Sequence, residues 1–186
     1  DIFFERMWLS AYSQKKYNPK MKVVCLVDDA TYRGVQTTYR GKSQKVVDHF
    51  EIIDLPEGLS QRAKSRWIKT NLRSLLKGDF LFIDSDTVVC DDLSELELQK
   101  AELMMVLDYH LLLNEHKDGK LIRHECEQVF GRKLTTDDYF NSGVILARDT
   151  PEVHRFFDMW HKYWLEGVRR GCETDQKSLA YVVQDN

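Results

Sequence analysis

Three short apolar runs in this sequence end in aspartate, and that recurrence constrains the fold more than any other feature. Lys22-Val23-Val24-Cys25-Leu26-Val27 stops at Asp28-Asp29, Asp79-Phe80-Leu81-Phe82-Ile83 stops at Asp84-Ser85-Asp86, and Leu103 to Leu107 stops at Asp108. Each run has the length and the β-branched or aromatic content of a buried strand. Helical patterns lie between and around them. Ser60 is placed to cap a helix whose stripe is Ala63, Trp67, Ile68, Leu72, Leu75 and Leu76, with Gly78 as its stop. Pro151 suits the first turn of a helix reaching about Trp164, and a last helix is expected from about Thr174 to Val183. Further strands are expected over Val46 to Ile53 and Asn141 to Ala147, and a short helix over Leu93 to Gln99. Strands alternating with helices predict an α/β domain with a mostly parallel sheet and helices on both faces.

A parallel sheet would gather the three acidic strand ends along one rim, where open α/β folds bind ligands. Asp is also a common strand terminator, good in turns and poor in strands. That ordinary reading serves for any one run better than for all three. The helix at the start, with Ile2, Phe3, Met7, Trp8, Leu9 and Tyr12 at helical spacing, opens the chain where a strand is expected, so residues are expected upstream. The polar stretch from Thr31 to Lys45 and the His- and Lys-rich segment from His110 to Thr136 have no readable element.

Composition removes several classes of function. Lys plus Arg number 27 and Asp plus Glu 30, a net charge of −3, which argues against general binding to nucleic acid or an anionic membrane. No apolar stretch approaches the roughly 20 residues of a transmembrane helix, and the opening residues lack a signal-peptide pattern. Peripheral membrane contact is left to regions outside this stretch. The four cysteines (Cys25, Cys90, Cys126 and Cys172) have no CxxC spacing. Reduced thiols and a cytoplasmic location are expected, with Cys25 and Cys90 as small core residues.

The chemistry-bearing residues follow the strands. Asp84 and Asp86, two residues apart where the chain leaves a strand, can converge on one hard divalent cation such as Mn²⁺ or Mg²⁺. A turn-capping acid pair is the plain alternative. Arg62, Arg66, Lys69, Arg73 and Lys77 fall on one helical face; the usual reading is a solvated stripe, with Arg66 the exception beside Trp67. In Asn141-Ser142-Gly143 the Gly permits close backbone approach, and the Asn amide can bond sugar hydroxyls. Asp175-Gln176 opens the last helix, where Asp is favoured for dipole reasons alone. None of the six histidines has metal-ligand spacing, and no Gly-rich phosphate loop or nucleophile elbow is present.

Taken in order, Ser65-Arg66-Trp67, Asp79 to Asp86, Asp108, Tyr139-Phe140-Asn141-Ser142-Gly143-Val144 and Asp175-Gln176 resemble glycosyltransferase family 8, nucleotide-sugar enzymes of the GT-A fold. The resemblance implies a Rossmann-like, single-domain GT-A core over residues 1–186. It implies a retaining transfer of a hexosyl group from a UDP-sugar to a saccharide or lipid-linked acceptor. Mn²⁺ (or Mg²⁺) would bridge the donor diphosphate to Asp84 and Asp86. Arg66, Asp84, Ser85, Asp86, Asp108, Asn141 and Ser142 would bind donor, and Asp175 and Gln176 would lie beside the anomeric carbon as the catalytic pair. The family's first strand would precede residue 1. Its C-terminal His-x-x-Gly-x-x-Lys segment, which completes the metal site, has no match after Gln176. The chain is therefore expected to be a fragment or an inactive member. Two alternatives stand beside the enzyme: a degenerate nucleotide-sugar-binding domain without turnover, and a haloacid-dehalogenase-like phosphatase. The latter places Thr two residues after the second Asp, where this chain has Val88.

Overall fold

The computed structural model describes residues 2–37 and 45–186. Part of the polar stretch from Thr31 to Lys45 therefore lies outside the described residues. The protein is mixed α/β and forms two compact units, residues 1–57 with 83–100, and residues 58–82 with 101–186.

In the first unit, helix α1 (Ile2–Tyr17) precedes strand β1 (Val24–Val27), helix α2 (Asp29–Gln36) and strand β2 (His49–Ile52). The two strands pair in parallel, Val24 with His49 through Val27 with Ile52. The expected start helix is present, and α2 forms within the stretch that had no readable element. Asp28 explains why: its carboxylate accepts from the Thr31 N–H at 2.9 Å and caps α2, so this strand-end acid has the ordinary capping role. Asp29 pairs with Arg33 one turn on. Ala11, Val46 and Val47 form a small core with Met7, Trp8, Val23, Cys25 and Phe50 packed on it. Residues 83–100 are tied to α1. Val89 N–H donates to Ser13 Oγ at 2.9 Å, and Asn18 accepts from Leu93 N–H at 2.7 Å while donating to the Asp91 carbonyl. The helix expected near Leu93 is a 3₁₀ turn, Ser94–Leu98.

A three-stranded sheet has the order β3 (Phe80–Ile83), β5 (Phe140–Ala147), β4 (Leu103–Leu107), and all of it but Ile83 belongs to the second unit. Helices α3 (Gln61–Thr70) and α4 (Leu72–Leu75) occupy the segment expected as one helix. The break falls at Asn71, whose amide donates to the Trp67 carbonyl. Ser60 caps α3 as expected, and Thr150 with Pro151 starts α6 (Pro151–Arg169). Helix α5 (Gly119–Phe130) lies in the unassigned His110 to Thr136 segment, closed by Gly131 at φ 67°. Helix α7 (Asp175–Asp185) is last. Trp160 and Trp164 of α6 are fully buried, as are Leu179, Tyr181 and Val182 of α7.

The mostly parallel sheet expected from the alternation is corrected here: β4 and β5 run antiparallel, Leu103 opposite Ala147 and Leu107 opposite Phe140. An apolar run cannot reveal its partner's direction, because parallel and antiparallel strands bury the same residue types when covered on both faces. Among the described residues no helix is long and apolar enough to cross a membrane. The four cysteines are free thiols. Cys126 is fully buried, and its burial pushes the thiol up to about 12. Cys90, expected in the core, is exposed because its strand has already ended.

Candidate functional site

The antiparallel pairing has a direct consequence for the site. It sets the end of β4 beside the start of β5, so Asp108 and Asn141, 33 residues apart, meet at one sheet edge. Asn141 Nδ2 donates to Asp108 Oδ1 at 3.1 Å. In a parallel sheet the two would lie at opposite edges. The register between the strands also jumps: Met105 faces Ile145, while Val106 faces Asn141. Residues 142–144 form a bulge, the device by which a strand re-aims side chains. Asn141 Oδ1 closes it by accepting the Gly143 N–H at 2.8 Å. Much of the amide expected to meet sugar hydroxyls is therefore spent on the strand itself and on orienting Asp108. One N–H and one lone pair remain.

Beyond Asp108 the backbone turns sharply. Tyr109 and His110 both adopt left-handed conformations, φ 52° and 59°. Left-handed backbone costs a side-chain-bearing residue about 1–2 kcal/mol. Tyr109 is exposed, with its ring edge-on to His116 at 5.0 Å. An open hollow at this edge is lined by Val106, Leu107, Tyr109, His110, Asn141 and Val144.

The bulge sends Ser142 inward, where it is buried and donates to Asp175 Oδ2 at 2.7 Å. Asp175, in the first turn of α7, is only 6% exposed. Around it stand Lys69 Nζ at 3.5 Å from Oδ2 and Arg66 Nε at 3.6 Å from Oδ1, both from α3. Burial alone would raise the Asp175 carboxyl. The Lys69 charge, the Ser142 hydroxyl and the Arg66 charge outweigh it and hold the group below the usual carboxylate range. Trp160 Nε1 donates to the Asp175 carbonyl at 3.1 Å and anchors the turn from α6. Gln176 follows, its Nε2 donating to the Phe140 carbonyl at 3.3 Å.

Of the residues expected at the site, the second unit brings Arg66, Ser142 and Asp175 into one cluster, pairs Asp108 with Asn141, and ties Gln176 to the same strand. Asp84, Ser85 and Asp86 belong to the first unit. They form a turn in which Thr87 N–H donates to the Asp84 carbonyl at 2.9 Å; Asp84 is half-buried and Asp86 exposed. Two carboxylates in one turn offer hard oxygen donors only, a set that fits Mg²⁺ or Mn²⁺. Among the described residues no group of three or more His, Cys, Asp or Glu side chains gathers as a metal site.

The basic stripe is solvated at Arg62 and Lys77 as expected, but not at Lys69 and Arg73. Lys69 is 5% and Arg73 2% exposed, and Arg73 stacks on Phe80 at 4.8 Å while facing Asp149 at 3.7 Å. Lys69 was thus missed as a site residue. Its available signal was its spacing, three residues beyond Arg66 on the flank of the apolar stripe.

No family model and no curated protein matches the chain. In structure, 98% of it matches 67% of an active-site glutamine-to-glutamate variant of LgtC, a family 8 glycosyltransferase, with a TM-score of 0.58 and 16% identity. The chain shares the fold of that structure. Within this fold, the cluster around the Asp175 carboxylate and the Asp108–Asn141 pair are the candidate site.

Proposed function

We propose that the protein transfers a hexosyl group from a UDP-sugar to a saccharide or lipid-linked acceptor. The observation that carries this reading is the gathering of Arg66, Ser142, Asp175 and Gln176, and of Asp108 with Asn141, within a glycosyltransferase fold. These are the residues that the family 8 resemblance names, and they come from separate segments of the chain.

Each group has a chemical task in this reading. Asp108, steadied by Asn141, accepts hydrogen bonds from hydroxyls of the transferred sugar. Arg66 supplies positive charge toward the donor's phosphate-bearing side. Gln176 is a poor nucleophile, being a neutral amide. Its amide nitrogen donates to the Phe140 carbonyl, which polarises the amide and enriches its oxygen. That oxygen suits the stabilisation of positive charge developing on an oxocarbenium-like sugar. LgtC's own active-site glutamine lends support to this role. Asp84 and Asp86 would hold a divalent cation, whose chemistry when bound is Lewis-acid stabilisation of the departing diphosphate.

The test is a thermal-shift titration with UDP, with and without Mn²⁺, on the chain and on its Asp84→Ala and Asp86→Ala variants. A rise in melting temperature that needs both ligands, and is lost in variants that melt normally, supports the donor site. No rise in the parent chain overturns the UDP-sugar reading. UDP binding without turnover of any UDP-sugar would make the domain a non-catalytic binder.

A further inference from the structure

The proposed function leaves Lys69 without a part, yet its position is unusual. An ammonium is strongly hydrated, and burying one costs free energy unless charges and hydrogen bonds replace the water. Lys69 is 5% exposed, with Nζ 3.5 Å from both Asp175 Oδ2 and Ser142 Oγ, and 5.3 Å from the centre of the Phe82 ring. Ser142 donates to that same carboxylate oxygen. Three elements therefore converge on one atom: α3 through Lys69, β5 through Ser142, and α7 through Asp175.

The geometry assigns Lys69 as a positioning residue: its ammonium holds the Asp175 carboxylate onto Ser142, and through the first turn of α7 it sets Gln176 against β5 beside Asn141. For its effect on turnover the assignment rests on the glycosyltransferase reading; the Lys69–Asp175 coupling does not. The groups facing the Asp175 carboxylate are Lys69 and Arg66 from α3 and the Ser142 hydroxyl from β5. Tyr139, just before β5, is a buried phenol close enough to feel the Asp175 charge. Trp160 holds only the backbone carbonyl. Arg66 reaches the other oxygen at the longer distance, and its guanidinium is one-third exposed. Lys69 is the more buried cation, and its removal uncovers the carboxylate's charge.

The experiment compares the whole chain with Lys69→Met and the Lys69→Met, Asp175→Asn double variant. Carboxyl ¹³C shifts of aspartate are followed against pH, and UDP release from UDP-galactose and UDP-glucose is measured over the same range. In Lys69→Met the Asp175 carboxyl is expected to take up its proton at higher pH than in the parent. UDP release then falls ~10-fold per pH unit below that point, the slope of a single proton uptake, with kcat affected more than KM. An unchanged Asp175 titration overturns the assignment and leaves Lys69 a packing residue. If Lys69→Met fails to fold, recovery of folding in the double variant supports the charge coupling, and no recovery overturns it. If the parent releases no UDP but the carboxyl titration still moves, the coupling stands and the glycosyltransferase reading falls.

Discussion

At the scale of single residues, two positions are held by physical constraints that a substitution would expose. A Cβ on Gly119 would lie 1.9 Å from the backbone oxygen of Leu113, so the chain itself would have to move. Gly119→Ala is expected to destabilise by about 1–3 kcal/mol, the range for overpacking, seen as a lower urea midpoint. Asp175 is the second. Its folded-state carboxyl sits below the usual carboxylate range, against burial, because of Lys69, Ser142 and Arg66. A depressed carboxyl stabilises the fold above the unfolded value, near pH 4, and that contribution is lost as pH falls through the native value. Asp175→Asn is therefore expected to flatten the fall of melting temperature on acidification below about pH 4. An unchanged acid limb would place the titrating group elsewhere.

Among the elements, the bulge in β5 is the feature that makes the site. Asn141 holds it at both ends, accepting from Gly143 and donating to Asp108. Asn141→Ala removes both bonds and is expected to cost about 1–2 kcal/mol, measured by denaturant unfolding, and to weaken any sugar-dependent binding at Asp108. Helices show the same division between local and distant causes. The cap at Ser60 and the start at Pro151 were legible because the signals that open a helix act within its first turn. Helix α5 was not, since its buried face is Cys126 and Phe130 in a polar background, and only packing with Leu113, Leu134 and Tyr181 reveals it. The break at Asn71 was hidden for a similar reason. His161, from α6, accompanies it by bonding the neighbouring Thr70 hydroxyl at 2.8 Å.

For the molecule as a whole, the proposed donor site predicts a response of the entire folding equilibrium. A ligand that binds only the folded state at a hundredfold excess over Kd adds about 2.7 kcal/mol. For a chain of this size that corresponds to a rise of roughly 5–10 °C, expected with UDP and Mn²⁺ together and absent in Asp86→Ala. Asp86 is exposed, so its loss should leave the unliganded melting temperature nearly unchanged.

By itself the sequence determined the five strands β1 to β5, the helices α1, α6 and α7, the start of α3, and the residue types at the strand ends. These follow from hydrophobic period and local capping, which act over a few residues. The tertiary structure alone decided that β4 and β5 run antiparallel, which puts Asp108 beside Asn141. It alone decided that Lys69 faces a carboxylate rather than water. Strand direction and the burial of a charge depend on what a distant segment brings alongside. A lysine on a helix face reads as solvated until a residue more than a hundred positions away supplies the opposite charge.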